Sequence, residues 1–161
     1  MKKTPFLFVT ILFLSLNVFG SEFTEKQPEL SKKVDAIKEK EKTEIKGKLT
    51  DLIKEISALK FNAEDEDEPL MYYSYLGELC TINGDYAKSN EFYSKLVEKV
   101  PHATFYRLMV VNMILKGDKE AANKLVETFT KKAEDIKDVE DRKRQIGHVK
   151  SALEETKVPA K

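Results

Sequence analysis

Apolar side chains recur every three or four residues through almost the whole chain after residue 21, and the apolar-polar alternation of a half-buried strand is nearly missing. Glycine and proline are scarce and fall at segment boundaries. The pattern predicts an all-α fold of six or seven helices. One stripe runs Leu30, Val34, Ile37, Ile45, Leu49, Leu52, Ile53, Ile56 and Leu59, with Lys and Glu filling the gaps. That is the apolar face of one long helix, or of two helices meeting near residues 42–47. Ile45, Leu49, Leu52, Ile56 and Leu59 keep the four-three spacing of a coiled-coil seam, but the register carried backwards lands on Glu41 and Lys38. A sustained coiled coil needs about three to four unbroken heptads, so packing within the chain's own domain is preferred. A homo-oligomer assembled through those five residues is the alternative.

An acidic run, Glu64 to Glu68, precedes Pro69. Negative charge and proline both suit the first turn of a helix, so 64–69 reads as a loop feeding a helix. It lacks the ligand spacing and turn glycine of a calcium loop. From Leu70 to Glu134 the landmarks then repeat at one constant offset. The same shift carries Tyr73 to Tyr106, Leu76 to Met109, Gly77 to Val110, Cys80 to Met113, Gly84-Asp85 to Gly117-Asp118, Ser89 to Ala122, Tyr93 to Val126 and Leu96 to Phe129. Each copy predicts a helical hairpin turning at Gly-Asp, with the aspartate as helix cap. Gly77 offers no Cβ to hold the paired backbones apart. Ile136, Val139, Ile146, Val149 and Leu153 predict a last amphipathic helix that ends before Pro159.

Tyr73-x-x-Leu76-Gly77-x-x-Cys80, Ser89-x-x-x-Tyr93 and Pro101 resemble the tetratricopeptide repeat (TPR), with Cys80 where that family has an aromatic and Ser89 where it has Ala. The second copy departs from the pattern at Val110 and Glu134. The resemblance covers 70–134 and implies two hairpins, 70–102 and 103–134. They would lie between an N-terminal amphipathic segment (21–63) and a C-terminal capping helix and tail (135–161). Two repeats are fewer than the three or so a free-standing array needs, so the flanking helices are expected to cap its ends. The resemblance also implies a concave face for a peptide or helix of a partner. Mapped onto this sequence, that face takes Met71, Ser74, Glu78 and Thr81 from the first copy and Thr104, Arg107, Val111 and Ile114 from the second. The paired Lys and Asn with which some TPR domains clamp a terminal carboxylate are not supplied.

Composition divides the chain. Met1-Lys2-Lys3 and the uncharged run Phe6 to Leu16 form a secretory signal peptide, residues 1–20, with cleavage expected after Gly20 or Ser21. The run is shorter than the about 20 residues of a spanning helix, and no cysteine follows it to carry a lipid. The expected destination is the periplasm or the exterior of a bacterial cell. Lys+Arg 28 balances Asp+Glu 28 over 161 residues; losing Lys2 and Lys3 leaves the mature chain slightly acidic. No surplus of cations exists for a nucleic-acid partner.

Candidate chemistry is thin. One cysteine excludes an internal disulfide and a multi-thiolate metal site, and Cys80 falls on a packing face. His102 and His148 have no ligand at metal spacing, and the basic cluster Arg142-Lys143-Arg144 follows Glu140-Asp141, as on a solvated helix face. Tyr72, Tyr73, Tyr75, Tyr86, Phe92 and Tyr93 fall at helical spacing, as core aromatics do. Gly-rich phosphate loops and hydrolase or metalloprotease motifs are absent. The sequence therefore predicts no cofactor, no metal and no catalysis, but an exported interaction or scaffold module of the cell envelope. The homo-oligomer is its first rival and an enzyme or small-molecule carrier its second.

Overall fold

A computed structural model describes residues 21–38 and 42–155. The expected signal peptide (1–20) and the tail around Pro159 lie outside the described residues, as does the side chain of Ile45. Every regular element described is helical: α1 (Glu22–Lys38), α2 (Lys42–Ala58), α3 (Glu68–Asn83), α4 (Tyr86–Lys99), α5 (Ala103–Leu115), α6 (Lys119–Lys132), a short 3-10 turn (Ala133–Asp135) and α7 (Val139–Glu155). The fold is all-α. None of these helices is long and apolar enough to cross a membrane.

The apolar stripe of residues 30–59 belongs to two helices. α1 starts well before Leu30 and continues through Pro28, because Phe23 is fully buried and makes an early anchor. Ser21 starts the helix: its Oγ accepts from the Thr24 N–H (3.3 Å) and its carbonyl from Glu25 (3.1 Å). Phe23 packs edge-on against Tyr72 at 5.4 Å, and Phe61 stacks on Tyr72 at 4.4 Å. These rings join Leu30, Val34, Leu49, Leu52, Ile56, Leu76 and Leu79 in one core shared by α1, α2 and α3. Leu49, Leu52, Ile56 and Leu59, the seam of the homo-oligomer reading, are thus covered by the chain itself.

Consecutive helices pack in order from α3 to α6, and α7 lies on α5 and α6. The link between α3 and α4 and that between α5 and α6 are the same turn. Gly84 (φ 81°) and Gly117 (φ 90°) both take the left-handed conformation that a side chain strains. Gly84 N–H donates to Thr81 O (3.1 Å) and Asp85 N–H to Cys80 O (2.9 Å); Gly117 donates to Ile114 O (2.9 Å) and Asp118 to Met113 O (2.8 Å). Asp85 Oδ1 then accepts from Lys88 N–H (3.2 Å) and Asp118 Oδ1 from Ala121 N–H (3.0 Å). Ser89 and Ala122, which occupy the same position in the two copies, are both fully buried.

A second core gathers Ala103, Tyr106, Val110, Ala122, Val126, Phe129, Val149 and Ala152 from α5, α6 and α7. The last helix differs from expectation at its start. Ile136 precedes it in extended conformation, and Val139, its first residue, is 52% exposed. Asp138 sets that start, its Oδ1 accepting from Asp141 N–H at 2.7 Å, while Arg142 folds back to donate through Nε (2.9 Å) and Nη2 (2.7 Å) to Ile136 O.

Candidate functional site

Met71, Ser74, Glu78 and Thr81 advance by three or four residues and so share one stripe of α3; Thr104, Arg107, Val111 and Ile114 do the same on α5. Seven of the eight are half-buried. Arg107 is the exception, only 6% exposed, so it does not offer an open guanidinium to an acidic ligand as its charge alone suggests. Val111 and Ile114 pack partly against the second core and Met71 against the first. Ser74 keeps its Oγ enclosed.

Thr81 does more than face outward. Its Oγ1 lies 2.8 Å from Ser89 Oγ and donates within reach of Gly77 O (3.1 Å) and Asn112 Oδ1 (3.2 Å). Asn112 is 1% exposed; its Nδ2 donates to Ser89 Oγ (2.8 Å) and Asn90 Oδ1 (2.9 Å). Asn90 Nδ2 reaches Met109 O at 3.3 Å. One buried polar network therefore ties α3, α4 and α5, and such a network favours a single arrangement of the helices because every misalignment leaves a buried group without a partner. Sequence reasoning missed it. Asn112 interrupts the apolar run from Leu108 to Leu115, and that interruption was the available signal.

The two histidines, separate in sequence, line one cleft of ≈ 310 Å³ with Ala103, Arg144 and Gln145. His102 Nδ1 accepts from Thr104 N–H (3.3 Å) as the cap of α5. Arg144 and Gln145 both hold Asp141, Gln145 Nε2 at 2.8 Å. Those hydrogen bonds, Gln145 first and Arg144 second, hold the Asp141 carboxyl below the usual carboxylate range. His102, Arg144 and Gln145 are thus engaged locally, in capping and in holding Asp141.

Cys80 lies elsewhere, 1% exposed in the first core, and burial pushes its thiol up to about 11. A thiol so placed stays protonated at neutral pH and is a poor nucleophile. Burial also drives the Tyr93 phenol far above its ordinary value. A second cleft, ≈ 300 Å³ between α1 and α2, is lined by Ile37, Leu52 and their neighbours, with Lys33 held between Glu55 (2.8 Å) and Glu29 (2.9 Å). Among the described residues no group of three or more His, Cys, Asp or Glu stands together to hold a metal ion. Across α3 and α4, Tyr73 stacks with Phe92 at 6.3 Å, and Lys95 Nζ lies 4.9 Å from the centre of the Tyr73 ring.

No protein-family model matches the chain, and neither the curated proteins nor the solved structures contain a match.

Proposed function

We propose that this chain is an exported, TPR-like interaction module of the bacterial cell envelope, acting without turnover. It binds an extended peptide or a helix of a partner protein across the stripes of α3 and α5. The observation that carries this reading is the recurrence, at the offset that relates the two copies, of one turn with the same left-handed glycine, the same aspartate cap and the same backbone hydrogen bonds. A hairpin repeated at fixed spacing sets equivalent helices side by side and gives them a shared face. The basic and acidic side chains being nearly balanced, recognition rests on shape, apolar contact from Met71, Val111 and Ile114, and hydrogen bonding from Thr104. The buried Arg107 is assigned to holding the array rather than to the ligand.

Site-specific photo-cross-linking tests the assignment. A cross-linking side chain at Thr104, on α5, captures the partner in cells; one at Lys124, on the exposed side of α6, does not. Capture from Lys124 alone contradicts the reading.

A further inference from the structure

Glu68 is 3% exposed, the most deeply buried acidic residue described. Its carboxylate accepts at Oε1 from the hydroxyls of Ser21 and Thr24, and at Oε2 from Asn62 N–H. Among the described residues no Lys, Arg or His stands in ion-pair contact with it. Three hydrogen bonds and its place in the first turn of α3 offset the cost of holding this carboxylate out of water, and a positive charge nearby adds to that stabilisation.

The enclosure is built from three parts of the chain. Phe23 N–H donates to Lys60 O (3.1 Å), fastening the start of α1 to the segment after α2, and Glu68 opens α3 with its own N–H on Asp65 Oδ1 (2.8 Å). Other charges around it have their own engagements. Glu22 Oε2 accepts from Lys60 N–H (3.4 Å) and its Oε1 lies 4.0 Å from Lys26 Nζ, while Asp65 also accepts from Asp67 N–H. Because Ser21 Oγ touches Glu68 Oε1, the nitrogen of Ser21 lies within roughly 6 Å of that carboxylate, the range in which an opposite charge matters.

We propose that hydrolysis of the Gly20–Ser21 bond supplies a positive charge at this site, so that the new α-ammonium of Ser21 pairs with buried Glu68. The inference rests on the secretory reading and sharpens it: of the two cleavage positions, only the cut after Gly20 keeps the Ser21 hydroxyl and cap. A signal peptidase adds water across the amide; Gly20 leaves with the leader as a carboxylate, and the Ser21 amine takes up a proton at neutral pH. Before the cut, the same nitrogen is a neutral amide. Processing therefore tightens the junction of α1 with α3.

The test has two parts. Intact mass of the cell-derived protein shows a chain beginning at Ser21; retention of residues 1–20, or a start at Glu22, overturns the proposal and, in the first case, the secretory reading with it. Mature protein with a free Ser21 amine is then reductively ¹³C-methylated and titrated by NMR. The amine holds its proton about tenfold more tightly than an ordinary N-terminus, whose pKa is about 7.7–8.0. Thermal melting gives the second readout: Nα-acetylation lowers Tm below pH 8, and the gap closes as the pH rises through the raised amine value, because a raised pKa stabilises only while the group is protonated. Glu68→Gln abolishes both effects; where that variant does not fold, the wild-type titration decides alone. A chain that starts at Ser21 with an unshifted amine and an acetylation-insensitive Tm overturns the pairing while leaving export standing.

Discussion

The ring of Tyr93 fills the space that a side chain on Gly77 would occupy: a Cβ built on Gly77 would lie 2.6 Å from Tyr93 Cε1. The contact lets Ser89 Oγ reach Gly77 O at 2.7 Å, inside the α3-α4 interface. In the second hairpin the equivalent positions are Val110 and Val126, both buried in the second core. A smaller residue on one helix and a larger one on the other exchange volume between the two copies.

This predicts a compensating pair. Gly77→Val alone overpacks the interface and costs about 1–3 kcal/mol. Combining it with Tyr93→Val, which reproduces the second copy, recovers part of that loss, so a double-mutant cycle by urea denaturation gives a favourable coupling. Strict additivity contradicts the proposed exchange.

The two turns answer to the same substitutions. Gly84→Ala and Gly117→Ala force a Cβ into the left-handed region and cost about 1–2 kcal/mol each. Asp85→Ala and Asp118→Ala remove a cap and cost about 1 kcal/mol each. Equal losses at the paired positions in thermal melts are expected of equivalent turns. A large loss at one turn with none at the other contradicts that equivalence.

These turns were legible in the sequence because Gly and Asp are required there by local backbone geometry. Gly77 was legible for the same kind of reason, a close approach declared by the absence of a side chain. The burial of Glu68 and Arg107 and the cleft shared by His102 and His148 were not. Each depends on what another part of the chain brings to it, and a charged residue in a polar stretch reads as solvated until its neighbours in space are known. Phe23 was hidden in the same way, a lone aromatic among polar residues before Leu30, and its burial carries α1 back through Pro28 to Glu22.

Asn112→Leu tests the buried network. The change removes the donor to Ser89 and Asn90 and the acceptor for Thr81, and a buried group left without its partner costs about 1–3 kcal/mol. Hydrogen exchange quickens at the α3-α4-α5 junction while the core of α1 and α2 keeps its protection. Uniform loosening across the chain contradicts a role in fixing those three helices.

Cys80 gives a pH prediction. Its thiol is pushed up to about 11 in the folded chain, whereas an exposed thiol ionises near 8.5. The unfolded chain therefore gives up this proton first as pH rises, and stability is lost progressively between about pH 8.5 and 11. Cys80→Ala lessens that alkaline loss. In the native protein at pH 8, thiol reagents label Cys80 only after unfolding; immediate labelling contradicts the burial described.

Hydrogen-deuterium exchange of the protein, alone and joined to the partner captured through Thr104, decides whether that partner lies across α3 and α5. Exchange is expected to slow along α3 and α5 and to stay unchanged in α4 and α6; slowing confined to α4 and α6 contradicts binding across α3 and α5.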